Sequence, residues 1–202
     1  MEIKNFVTHS MGENIYLLIE KDHIAVVDPG GNYDEISGFI EENNYSLDYI
    51  LLTHGHADHI GALNPLKEKF GGRVIAHLEE KELLETPEMN LSGRGKSGIR
   101  VYADQFITEE DMLDFQGNKI RFVHTPGHTG GSMLILIDDL MFSGDMLFRG
   151  TVGRSDLPTS DPEAMDRSID LLRNMAKDYK VFPGHGEATT LFHEKKYNAF
   201  LK

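Results

Sequence analysis

The segment Thr53-His54-Gly55-His56-Ala57-Asp58-His59 concentrates four metal-binding side chains within six positions. It directly follows the apolar run Tyr49–Leu52. In extended backbone, residues two apart point to the same side, so His54 and His56 can hold one metal together. Asp58 and His59 sit where the next helix begins, point elsewhere, and can serve a second metal nearby. Imidazole and carboxylate are the donors expected for zinc, iron or manganese. His is 10 of 202 residues, and a chain of this composition produces such a His-x-His-x-Asp-His pattern by chance at a rate of about 0.002. Three further donors share a context of apolar run and small turn residue: His128 in Thr125-Pro126-Gly127-His128, Asp145 in Ser143-Gly144-Asp145, and His185 in Pro183-Gly184-His185-Gly186. Strands that end at one edge of a core deliver their loops to one place, so four loops can converge on one cleft.

Such a site points to hydrolysis. Two cations a few ångströms apart lower the pKa of a bridging water until it is hydroxide near neutral pH, and they polarise the carbonyl it attacks. No Ser or Cys nucleophile is needed, and Asp58 can orient the hydroxide as well as bind metal. The chain has no Cys, so neither thiolate ligands nor disulfides enter.

The elements that must carry these loops alternate between strand and helix. Ile15–Glu20 and Ile24–Asp28 read as paired strands, Tyr33–Asn44 as an amphipathic helix, Tyr49–Leu52 as a strand, and Ile60–Phe70 as one helix with Ile60, Leu63, Leu66 and Phe70 at helical spacing. Arg73–Ala76 follows as a strand and Lys81–Glu85 as a short helix. Residues 86–100, with Gly93, Gly95 and Gly98 among basic residues, read as a mobile loop. Met112–Phe115, Lys119–Val123, Ser132–Ile137, Leu140–Phe142 and Val181-Phe182 are strand-like. Asp161-Pro162-Glu163 is a helix start, capping Asp then Pro, for a helix expected to reach about Asp178. A polar helical tail ends the chain. One domain of α/β (α+β) class, residues 1–202, is expected from this length and mixture.

A net charge of -13 counts against nucleic acid as a partner. No signal peptide or membrane-length apolar run is present, so a cytoplasmic enzyme without membrane partners is expected. Oligomeric state is not legible.

The order His54-x-His56-x-Asp58-His59, Pro126-Gly127-His128-Thr129, Ser143-Gly144-Asp145, Pro183-Gly184-His185-Gly186, preceded by Asp28-Pro29-Gly30, resembles the metallo-β-lactamase superfamily. The resemblance implies a four-layer αββα sandwich with metals at one edge of the sheets. It implies two divalent ions, zinc first with iron or manganese acceptable: one held by His54, His56 and His128, the other by Asp58, His59 and His185, with Asp145 bridging. Asn90-Leu91-Ser92, the run from Phe148 to Pro158, and Gly184-His185-Gly186-Glu187-Ala188-Thr189-Thr190 resemble single-domain bacterial glyoxalase II-like hydrolases. Only 17 residues follow His185, so the C-terminal helical domain with which ordinary glyoxalase II binds glutathione is not expected. Gly130 stands where relatives often have Pro. The implied substrate is a small thioester, such as a 2-hydroxyacyl thioester, with weak dependence on the thiol.

Rival classes use the same scaffold. Persulfide dioxygenases resemble the chain around Gly153-Arg154-Ser155-Asp156 and hold a single iron, which here maps to His54, His128 and Asp145. They usually carry Ala where Gly184 stands and therefore rank second. A non-catalytic interaction module ranks third, since it predicts a lost ligand and none is lost. Arg154 can grip a substrate carboxylate or simply steady its loop. Arg94 and Lys96 read as solvated surface charges. His9, His23, His77, His124 and His193 read as structural or surface residues, with His124, four residues before His128, the foremost exception.

Overall fold

The computed structural model describes residues 1–93 and 98–202; Gly95, Arg94 and Lys96 lie outside the described residues. The first sheet holds β1 (Glu2–Val7), β2 (Asn14–Glu20), β3 (His23–Val27), β4 (Ser46–Leu51), β5 (Arg73–His77) and β6 (Gln105–Ile107), in that spatial order. The chain then crosses to the second sheet, made of β7 (Met112–Phe115), β8 (Asn118–His124), β9 (Met133–Ile137) and β10 (Leu140–Gly144). A two-stranded ribbon follows, β11 (Leu147–Phe148) and β12 (Thr151–Val152). β13 (Lys180–Pro183) and β14 (Thr189–Thr190) complete the second sheet on the far side of β10. The helices are α1 (Tyr33–Glu42), α2 (Ala57–Ile60), α3 (Leu63–Phe70), α4 (Lys81–Glu85), α5 (Pro162–Asn174) and α6 (Leu191–Tyr197).

Side-chain alternation along the strands builds three apolar layers and hence the αββα sandwich. Ile15 and Leu17 of β2, with Ile24, Val26, Ile50 and Val74, face outward onto Ile36 and Ile40 of α1 and Leu63 and Leu66 of α3. Tyr16, Leu18, Ala25, Val27 and Leu51 face inward onto Phe115, Ile120, Phe122, Ile135 and Phe142 of the second sheet. Leu134, Leu136, Met141 and Val181 face the other way, onto Met165, Ile169 and Leu172 of α5. The central strands are thus buried on both faces, which is why they read as unbroken apolar runs.

Several boundaries differ from the sequence expectation. Ile60–Phe70 is not one helix: Ile60 ends α2 and α3 begins at Leu63, because the turn after β3 presses on Gly61. A Cβ there would stand 2.2 Å from the Gly30 carbonyl oxygen, and Ala62 N donates to Pro29 O at 2.8 Å. α5 stops at Asn174, since Met175 is extended with ψ 123. β1, β6 and the β11–β12 ribbon had no periodic signal. β1 is an edge strand with mostly exposed or half-buried residues. Within 86–100, the expectation of a mobile loop gives way over the described residues to a tied turn. Asn90 is buried, its side-chain amide donates to Ile99 O at 2.9 Å, and Gly93 N donates to Pro87 O at 2.7 Å.

Candidate metal centre

β3, β4 and β5 run parallel, so their C-terminal ends share one edge, as do those of the parallel pair β10 and β13. All seven predicted ligands lie on the loops leaving this edge. His54 and His56 follow β4, Asp58 and His59 sit on α2, His128 follows β8, Asp145 leaves β10 at Gly144, and His185 follows β13. The start of β2 holds the last of these loops: the Asn14 side chain donates to Pro183 O and Gly186 O at 3.0 Å each, and the Tyr16 hydroxyl donates to Pro183 O at 2.8 Å.

The donors form two adjoining groups. His54, His56 and His128 make one, with His56 Nδ1 and His128 Nε2 facing each other at 3.0 Å. Asp58, His59 and His185 make the other, with His185 Nε2 at 3.3 Å from Asp58 Oδ2. Asp145 stands between them. Its Oδ2 is 3.5 Å from His128 Nε2, and its Oδ1 is 3.4 Å from His59 Nε2 and 3.7 Å from His185 Nε2.

Ring orientation is fixed from behind. His59 Nδ1 donates to Asp28 Oδ2 at 3.0 Å, and His128 Nδ1 donates to the Arg154 carbonyl at 2.9 Å. Each bond commits the proton to Nδ1 and turns the Nε2 lone pair inward, the usual arrangement of a metal-bound imidazole. His54 Nε2, His59 Nε2 and Asp145 Oδ1 are fully buried with no hydrogen-bond partner. Buried polar atoms are rarely left unpaired, and unpaired lone pairs converging from imidazole and carboxylate fit divalent cations.

Electrostatics agree with that fit. Burial, reinforced by the neighbouring rings, holds His54 well below its ordinary pKa and brings His56 down to about 3. Burial also lowers His128, against the pull of Asp145. These rings are therefore neutral and able to ligate at neutral pH. Burial disfavours charge on His59, but Asp145 and Asp28 outweigh it and raise the ring well above its usual value. Burial opposes ionisation of Asp58, yet His185 and His59 hold it below the usual carboxylate range.

Arg154 is exposed and its guanidinium forks onto Asp156, Nε at 2.6 Å and Nη2 at 2.9 Å. It lines the cleft with this ion pair in place, while its carbonyl orients His128. The cleft holds about 480 Å³ and exposes His56, Asp58, His128 and Asp145 beneath an apolar rim of Met11, Leu91 and Leu157. His23 pairs with Asp48 at the opposite end of the first sheet, where β3 begins, and His9, on the turn before the cleft residues Ser10 and Met11, pairs with Glu35.

Sequence reasoning missed three supporting carboxylates. Asp28, read only as part of a turn motif, takes Thr53 N at 2.7 Å besides His59. Glu13 is wholly buried under the site, and burial pushes its carboxyl up to about 9 against the opposing effect of His59. Glu80 accepts Gly55 N and Gly131 N at 2.8 Å each and the Thr129 hydroxyl, tying the His54–His56 loop to the His128 loop. Nothing in Leu78-Glu79-Glu80 distinguishes Glu80 from a solvated helix start. Glu80→Ala leaves both amides buried without acceptors, at about 1–3 kcal/mol for each. A loss of about 2–5 kcal/mol is expected in urea unfolding; an unchanged midpoint would show that the two loops are held by other contacts.

An αββα sandwich with two adjoining donor groups sharing one carboxylate defines a metal-dependent enzyme with its chemistry at the sheet edge. Residues 11–185 match the profile of the metallo-beta-lactamase superfamily, and the chain belongs to that superfamily. It is similar to hydroxyacylglutathione hydrolase GloC of Haemophilus influenzae, at 35% identity over 188 residues, 90% of this chain and 89% of that one. Among solved structures, the BLEG-1 B3 metallo-beta-lactamase superposes with a TM-score of 0.91 at 31% identity, covering 100% of both chains. TTHA1623, solved in a di-iron-bound form, superposes at 0.85 with 32% identity, covering 98% of this chain and 100% of that one. The protein is a metallo-hydrolase of this superfamily. No helix among the described residues is long and apolar enough to cross a membrane.

Proposed function

We propose that the protein hydrolyses small 2-hydroxyacyl thioesters at a two-ion centre. The observation that carries the reading is Asp145, whose two oxygens face the two donor groups separately. In this reading His54, His56 and His128 would hold one ion and Asp58, His59 and His185 the other, with Asp145 available to both. Ions bound there supply a Lewis acid and a water acidified towards neutral pH.

The chain's own residues account for the rest. Neutral His54, His56 and His128 give lone pairs without prior loss of a proton. Asp58 Oδ2, ionised and lining the cleft beside His185, can accept a hydrogen bond from the attacking water and orient it. Met11, Leu91 and Leu157 cover apolar parts of the substrate and exclude bulk water. The Arg154 guanidinium, engaged by Asp156, leaves recognition of the thiol to this apolar rim, which supports weak discrimination between thiols. The likeness to the Haemophilus hydroxyacylglutathione hydrolase supports the acyl class. The likeness to a B3 metallo-beta-lactamase supports a second reading, hydrolysis of a β-lactam amide at the same centre.

The test compares one lactoyl group on glutathione and on a simpler thiol, with a penicillin alongside. Turnover of both thioesters at similar efficiency, well above that of the penicillin, is expected. A strong preference for glutathione would contradict the weak thiol recognition. Penicillin hydrolysis without thioesterase activity would favour the second reading. Oxygen consumption on glutathione persulfide without hydrolysis would replace both with a dioxygenase.

A further inference from the structure

Leu91 lines the cleft from an unusual backbone conformation. Among the described residues it is the one apolar side chain on a left-handed backbone, with φ 68. The other residues with positive φ are Gly, Asp, Asn, Gln or Lys. The conformation is costly for a bulky side chain, because Cβ crowds the following carbonyl oxygen. Strain of this kind persists only where the surroundings enforce it, and it gathers at functional sites.

Hydrogen bonds on both sides enforce it here. Asn90 is wholly buried, and its Oδ1 accepts Ser92 N at 3.0 Å and the Ser92 hydroxyl at 2.6 Å, which makes Leu91 the centre of a closed turn. The Asn90 amide donates to Ile99 O at 2.9 Å, and Ile99 N donates to Ser92 Oγ at 2.7 Å. Both neighbours of Leu91 are thereby fixed. The turn is also tied to the metal centre: Ala57 N donates to Asn90 O at 2.8 Å, and Ala57 precedes Asp58 on α2. Leu91 lines the same cleft as Asp58, His56, His128 and Asp145. Gly or Asn adopts a left-handed turn at little cost. A half-buried leucine stands there instead, beside the reacting groups.

We propose that Leu91 is a specificity-determining residue, a fixed wall against which the acyl substituent of a small 2-hydroxyacyl thioester packs; the proposal rests on the thioester reading above. The reacting carbonyl must stand beside Asp58 and Asp145. The acyl substituent has its apolar part within two bonds of that carbonyl, whereas a thiol carrier runs on out of the cleft. A leucine held next to the hydrogen bond between Asn90 and Ala57 therefore meets the acyl side. It gains contact with a methyl group and stops a bulky one. The left-handed turn costs stability and in return keeps the wall preorganised.

The test compares metal-loaded wild type, Leu91→Ala and Leu91→Gly. Both variants lose the side chain, and only the second loses the strain. Glycoloyl, lactoyl and 2-hydroxy-4-methylpentanoyl esters of one thiol are supplied. The wild type is expected to favour lactoyl over glycoloyl by about fourfold or more in kcat/KM, the contribution of one buried methyl. Both variants should lose most of that preference, through a higher KM with kcat changed less. Both should also gain at least about fourfold on the bulky ester relative to lactoyl. Leu91→Gly is expected to melt about 2–4 °C above Leu91→Ala, and both should bind as much metal as the wild type. An unchanged acyl preference in the variants, an alanine variant as stable as the glycine one, or a lowered metal content would each overturn the proposal while the thioester reading stands. A wild type inert on all three esters would remove that reading and the role of Leu91 with it.

Discussion

Asp145→Ala is expected to lower turnover by more than about 100-fold, the upper range seen when only an outer partner of a metal ligand is removed. Asp145 is placed to do more than such a partner: Oδ2 faces His128, and Oδ1 faces His59 and His185. Removing it takes away the one carboxylate that faces both donor groups, including its contact with His59 Nε2. The fold should persist, because the three apolar layers lie away from this loop. Activity and metal content should be measured on variant protein incubated with excess zinc or iron. Near-normal turnover with two ions bound would contradict the bridging role.

Gly184→Ala is the smallest change expected to have an effect of similar size. A Cβ at this position would lie 2.5 Å from Asp145 Oδ1, 2.7 Å from His59 Cε1 and 3.1 Å from the Gly144 carbonyl carbon. Gly184 N also donates to Gly144 O at 2.8 Å, so the two loops cannot separate without losing a buried bond. The methyl group must therefore displace the shared carboxylate and a ligand of the second group, while His54, His56 and His128 stay in place. Overpacking of this kind costs about 1–3 kcal/mol in stability. The variant is expected to retain one ion of two and to lose at least about 100-fold in thioester turnover. Two tightly bound ions and full turnover in the variant would show that Gly184 is not what admits the second ion.

The donor set was legible because its chemistry is local. His54, His56, Asp58 and His59 fall within one short segment, and His128, Asp145 and His185 each follow an apolar run and a small residue. The double-sided burial of β2, β3 and β9 was visible as unbroken apolar sequence. What escaped depends on contacts distant in sequence. Glu80 matters only because β5 ends beside Gly55 and Gly131. Gly61 breaks the helix only because the Gly30 turn touches it. β1 and β6 sit at the two edges of the first sheet, where neither face imposes a full apolar alternation, and β6 has only 3 residues. The Arg154 side chain, expected either to grip substrate or to steady its loop, is held by Asp156 two residues on, a pairing that spacing alone does not settle.

Metal stoichiometry tests the two-ion centre most directly. Elemental analysis of metal-replete protein, paired with anomalous scattering from its crystals, counts and locates the ions in one experiment. Two ions per chain at the sheet edge are expected, one among His54, His56 and His128, the other among Asp58, His59 and His185, with Asp145 touching both. A single ion at the sheet edge, with Asp58 and His185 turned away from it, would contradict the two-ion hydrolase and favour one-iron oxygen chemistry.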